Sequence, residues 1–336
     1  MAYRCIYTIQ QRSQQFLQVS AVSKQTTIMK PLQLPLVFAC AAIGFFSCKK
    51  DSGTSATNAG TANLVFKFKF DSTQARLNNI GQVSGLPSGH AGQNPVFNKM
   101  SAHYIELAPT AFTALGTGDI LYRADETTAG GSNAIDFEKS SFAGNNEVFY
   151  SIPVKNITPG EYEWLRLSLA YQNYDIKFYI DTVINGITFK QEYPGTVASF
   201  IGFNTYIKGY KIKNQTLTVN GNEKQGYWGF ETTISYAGVD YPLTSSGESP
   251  EGATTVVNPL FASSPIPAGS CVVTAGFAPG KLKITGKETN DIVVEISLST
   301  NKSFEWIDVI NDGKWEPSKG EQVVDMGIRG MIPAIQ

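Results

Sequence analysis

The chain has 336 residues, 42% of them apolar and 12% aromatic, with 27 basic against 28 acidic side chains. That balance, spread without basic runs, excludes a nucleic-acid binder, which needs a basic patch or stripe. The length allows one large β domain or two smaller ones.

Residues 1–28 are mostly polar, and Met29-Lys30 opens a more familiar pattern. The apolar run Leu34–Phe46 is too short for a bilayer, which takes roughly 20 residues. It fits the h-region of a secretory signal, about 7–15 residues long. It closes on Phe45-Phe46-Ser47-Cys48, a tetrad that resembles a bacterial lipobox. The expectation is a start at Met29, a signal peptide over 29–47, and 1–28 as an extension outside the natural start. A translated extension stays open. Cys48 then becomes the first mature residue and carries acyl chains, each buried CH₂ contributing about 0.8 kcal/mol of membrane affinity. Four basic and no acidic residues precede Cys48, so cleavage leaves a net charge of −5. Residues 48–62, "CKKDSGTSATNAGTA", lack the apolar content to fold and are predicted to form a tether. Lys49 after the cysteine, by resemblance to Gram-negative lipoproteins, implies the outer membrane; the periplasmic and cell-surface faces both stay open.

The body, 63–331, alternates with period two. "NLVFKFKFD" sets Leu64, Phe66, Phe68 and Phe70 on one face and Val65, Lys67 and Lys69 on the other, a half-buried strand. "SAHYIEL", "DILYRA" and "EVFYSIPV" follow, then "EYEWLRLSLAYQ", where Tyr162, Trp164, Leu167 and Leu169 are less strictly in phase, then "DIKFYIDTV" and "SFIGFNTYIKGYKI". "QTLTV", "GYWGFETTISY", "CVVTAGF", "KLKITG", "DIVVEISLST", "SFEWID" and "EQVVDMGI" complete the strands. Turn chemistry separates them at "TPGE", "YPGT", "VNGNE", "APGK" and "NDGK". "APTAFTALGTG", 108–118, has room for one or two helical turns. The stretch 245–269 is rich in Pro, Gly and Ser and marks a functional loop or a seam. Many short strands with Gly/Pro turns predict an all-β, antiparallel β-sandwich; two packed sandwich halves stay open. Cys271, without a cysteine partner after processing, reads as a small buried hydrophobe; a nucleophile would want a histidine, and the chain holds only His90 and His103.

The opening "LVFKFKFD" strand, "NKMSAHYIELAPTAF" and "NITPGEYEWLRLSLAYQNYD" together resemble a family of Gram-negative lipoproteins remotely similar to the methanobactin-associated copper-binding periplasmic protein. The resemblance implies an immunoglobulin-like β-sandwich and metal binding.

Three constellations carry candidate sites. In "DVINDGKWEPSKGE", Asp308, Asn311, Asp312, Glu316 and Glu321 resemble the alternate oxygen ligands of a calcium loop around Gly313, although Ile310 and Lys319 stand where the pattern wants ligands; a plain β-turn is the alternative. His90, Met100 and His103 are the ligand types that soft copper prefers, with a packed histidine as the alternative. Tyr171, Tyr174, Tyr227 and Trp228 lie beside polar or glycine residues and would form a sugar-stacking platform if exposed; a core role is the alternative. No nucleophile elbow, zinc-protease helix or phosphate loop is present. These readings converge on an outer-membrane, lipid-anchored, non-catalytic binding module for a metal or glycan. The alternatives are an accessory subunit of an outer-membrane transport complex and a hydrolase.

Overall fold

The computed structural model describes residues 62–184, 186–249, 257–260, 262–263 and 271–336. The expected signal peptide, Cys48 and every residue of the expected tether except Ala62 lie outside the described residues, as does most of 250–270.

The fold is all-β and sandwich-like. In chain order the strands are β1 (Asn63–Asp71), β2 (His90–Gln93), β3 (Val96–Ala108), β4 (Asp119–Arg123), β5 (Glu126–Thr127), β6 (Ala134–Asp136), β7 (Val148–Pro153), β8 (Gly160–Tyr162), β9 (Trp164–Ile184), β10 (Ile187–Phe200), β11 (Thr205–Lys211), β12 (Thr216–Glu223), β13 (Tyr227–Tyr236), β14 (Val239–Glu248), β15 (Val272–Gly276), β16 (Leu282–Ile284), β17 (Ile292–Ser299), β18 (Phe304–Ile307), β19 (Val323–Asp325) and β20 (Met331–Ile335). The body therefore runs past residue 331, because β20 pairs with β17.

A four-stranded sheet, β20-β17-β1-β7, faces a seven-stranded sheet, β14-β13-β10-β9-β3-β4, whose seventh strand β15 also pairs with β9. Nearly all ladders are antiparallel; β1–β17 and β11–β6 are parallel. The alternation of β1 does what its sequence dictates: Leu64, Phe66 and Phe68 enter the core and the lysines stay half-exposed. They meet Val294, Ile296 and Leu298 of β17 and, from the large sheet, Ile105, Leu107, Leu165, Leu167 and Leu169.

Strand β9 is the spine of the molecule. Its first half pairs with β3 and β15, its second with β10. Its inward residues are odd-numbered up to Leu169 and even-numbered from Tyr174 onward. The switch is a bulge: Ala102 opposes Leu169 and Ser101 opposes Tyr171, leaving Ala170 without a partner across the strand. An extra residue in one strand reverses which face every later side chain takes. Ile201 N–H and Gly202 N–H both donate to Ala170 O, at 3.0 and 3.3 Å. Gly202 is required there, since a Cβ would lie 2.1 Å from Leu169 O.

A smaller sheet, β12-β11-β6-β5, makes a third layer on the outer face of the large sheet. Its apolar contact joins Tyr171, Ala198 and Phe200 to Ile207, Tyr210, Ile212 and Tyr227, with Phe200 and Tyr210 edge-to-face at 5.1 Å. The segment 108–118 forms two successive turns instead of helix, closed by Thr113 N–H to Thr110 O and Thr117 N–H to Ala114 O.

Candidate functional site

The charged residues that the fold buries define the site. β18 lies between β19 and β2, with Glu305 opposite Asp325 on one side and Gly92 on the other. Phe304 and Trp306 point into the main core, which turns Glu305 the opposite way, yet it is also buried. Glu305 Oε2 accepts from Arg76 Nη2. Its Oε1 takes the Nδ1 of His90 at 2.5 Å. Across the strand Asp325 pairs with Arg329 at 2.7 Å, and Arg329 Nη2 donates to Asn79 Oδ1 at 3.2 Å. Burial pushes the Asp325 carboxyl up, opposed by the Arg329 guanidinium; burial and the nearby Arg329 pull Arg76 down. Two acids balanced by two guanidiniums is what makes burial of four charges tolerable. Among the ionisable side chains of the cluster His90 alone reaches solvent appreciably, oriented by a carboxylate.

Beyond β18 comes the loop read as a calcium candidate. Asp308 accepts backbone N–H bonds from Asp312 (3.3 Å) and Gly313 (3.0 Å). Asp312 accepts from Lys314 N–H and pairs with its ammonium at 3.0 Å, contacts that hold its carboxyl below the ordinary range. Glu321, fully buried, accepts from Val309 (3.1 Å), Ile310 (3.3 Å) and Glu316 (2.6 Å) N–H groups; burial nevertheless pushes its carboxyl up. Asn311 takes a left-handed backbone, φ 59°. The Asp308 and Glu321 carboxyls come within hydrogen-bonding reach of each other, and the backbone N–H groups of the loop claim both of them. Among the described residues no group of three His, Cys, Asp or Glu side chains is placed to hold a metal ion.

The copper set is not brought together. His90 is held by Glu305, while His103 gives its Nε2 to Glu126 Oε1 at 2.8 Å and stacks on Phe203 at 5.4 Å. Met100 is wholly inside the main core. The expectation of a stacking platform is corrected as well. Tyr171 and Tyr227 pack under the third layer and Tyr174 and Trp228 lie in the main core, so no ring face is free for a sugar. Gln172 and Asn173 beside them are buried too, because the large sheet is covered on both faces. Cys271 is buried and its thiol is pushed up to about 12 by burial, which removes the nucleophile reading.

Sequence reasoning missed a third buried pair. Glu106 on β3 and Arg166 on β9 are both within 1% of complete burial and meet at 3.2 Å. Glu106 also accepts Gly116 N–H (3.2 Å) and Gly118 N–H (2.7 Å), and Arg166 donates to Ala114 O (3.2 Å). Together they fasten the loop 109–118. The only sequence signal was charge inside strongly apolar runs, "YIEL" and "WLRLSL".

The two ends of the sandwich differ. At the near end, Ala62 O accepts from Val154 N–H, Thr158 N–H donates to Asp119 Oδ2, and β9 begins. At the far end are the turns of the β9–β10 and β13–β14 hairpins and the loop 308–316, where Trp315 O accepts from Tyr179 N–H at 2.8 Å. Val183, Tyr236, Val239, Ile307, Val309 and Ile310 are exposed there. No family model, curated protein or solved structure matches the chain.

Proposed function

We propose that this protein is a lipid-anchored cell-envelope binding module, held by Cys48 at the outer membrane and engaging another envelope protein through its far end. The observation that carries the reading is the exposure of six large apolar side chains at that end: Val183, Tyr236 and Val239 beside the hairpin turns, and Ile307, Val309 and Ile310 at the end of β18 and on the loop after it. Large apolar side chains left exposed at one end of a fold are candidates for docking a protein partner. The two loop residues Val309 and Ile310 are held in place by the Glu321 carboxylate through their N–H groups, so the surface is pre-organised before binding. Between the sequence alternatives, the exposed patch favours an accessory subunit over a metal or glycan receptor. A photo-crosslinking residue placed at Val239 in cells should yield one discrete adduct with another envelope protein, and the same residue at Val148, exposed on β7, should not. Equal or absent adducts at both positions would refute the docking end.

A further inference from the structure

The near end carries an interaction surface of its own. Phe112 is 83% exposed, more than any other large hydrophobic side chain among the described residues. It stands on a loop fastened from beneath by the Glu106–Arg166 pair, so it is held out instead of collapsing onto the body. From Leu107 to Gly118 the sequence contains no charged residue, and Pro109 and Ala114 on the same loop are also exposed. Lys155, on the turn after Val154, is exposed at the same end.

We infer that the loop 109–118 seats on the lipid surface, with the Phe112 ring at the level of the headgroups. This rests on the anchor reading above. The occupant follows from where the described chain starts. Ala62 sits at the near end, and the 13 residues 49–61 reach at most about 45 Å however they run. The 21-residue β9 spans about 70 Å at roughly 3.3 Å per residue, so the far end lies beyond that reach when the body stands upright. An aromatic ring on an uncharged tip, with a lysine near it, is the composition that settles at a bilayer interface. The lipid anchor and the ring then form two points of attachment, which fixes the tilt of the body and directs the far end away from the membrane.

The test places tryptophan as a reporter in the protein carried from Cys48 onward. Phe112→Trp and, as the far-end control, Val239→Trp are each attached to vesicles of phosphatidylethanolamine and phosphatidylglycerol doped with brominated lipid. Attachment is by the native acyl chains and, in parallel, by coupling the unacylated Cys48 thiol to a maleimide lipid. Emission is read as the difference from the parent protein. The expected result is at least about twofold stronger quenching and a blue shift for Phe112→Trp in both attachments. Quenching no greater than that of Val239→Trp would overturn the proposal. Intact mass of the purified protein separately decides the anchor: absence of acyl chains overturns that reading, while the coupled protein still decides the contact.

Discussion

Replacing Glu106 by Gln leaves the Arg166 guanidinium buried with its charge uncompensated, because both side chains are within 1% of complete burial. Breaking such a pair by removing one partner costs about 3–5 kcal/mol. That is a large part of the roughly 5–15 kcal/mol that holds a domain folded. At about 2–4 °C per kcal/mol for a domain of this size, Tm should fall by on the order of 10 °C. Urea unfolding of the Cys48→Ala protein, with and without Glu106→Gln, measures it directly. The double variant Glu106→Leu, Arg166→Met should recover most of the loss, since an apolar pair of similar volume replaces buried ions at little cost. It should not restore the loop 109–118, whose Gly116 and Gly118 N–H groups lose their acceptor; limited proteolysis there should stay fast. A loss under about 1 kcal/mol for the single variant, the size typical of exposed pairs, would mean that water reaches the pair and would refute the reasoning.

Burial holds the His103 imidazole below its ordinary value, against the opposing pull of Glu126. The unfolded chain therefore binds a proton that the folded chain refuses, so this contribution to stability is full above about pH 6.5 and declines as pH falls through that value. One proton contributes at most about 1.4 kcal/mol per pH unit; His103→Gln should flatten the fall in Tm between about pH 7.5 and 5.5, and an unchanged slope would exclude His103 as its source. Gly202→Ala should cost about 2–3 kcal/mol or more, because its Cβ meets the backbone oxygen of Leu169; a change within about 0.5 kcal/mol by denaturant unfolding would contradict that contact. Cys48→Ala should move the protein from the membrane to the soluble fraction and remove the acyl mass, and a protein that stays membrane-bound with unchanged mass would refute lipidation.

Alternation located β1 to the residue, because one face meets the core and the other meets water. It failed where that condition failed. "EYEWLRLSLAYQ", apart from Glu161 and Tyr162 in β8 and Glu163 between the strands, and "DIKFYIDTV" join in the one strand β9; the break between β8 and β9 accounts for the loose phase from Tyr162 to Leu169, and the bulge at Ala170 reverses the phase again beyond it. "SFIGFNTYIKGYKI" reads as continuous, yet it breaks after Phe200 because Gly202 must pass over that bulge. "YPGT" and "VNGNE" carry turn chemistry but lie within β10 and β12; Pro194 is accommodated inside the sheet, with its carbonyl accepting from Thr232 Oγ1 at 2.7 Å. Tyr171 and Tyr227 were misplaced because nothing in a strand's own residues announces a third layer over its outer face, while Tyr174 and Trp228 turn into the main core. The site chemistry was least legible, since His90 and Glu305 are 215 positions apart and meet only through β2–β18 pairing. In the loop 308–321 the carboxylates were found, but not that backbone N–H groups would claim them.

The way the chain enters the body has a mechanical consequence. β1 follows directly on Ala62 and lies inside its sheet, with eight paired positions along β17 and five along β7. Under the proposed anchoring, a tug from the membrane would run along the axis of β1, while a partner gripping the far end would pull the other way. The rungs on both sides of β1 are then loaded together in shear instead of being peeled open singly. A lipoprotein attached through such a strand can stay folded under envelope stress that would unzip one attached through an edge.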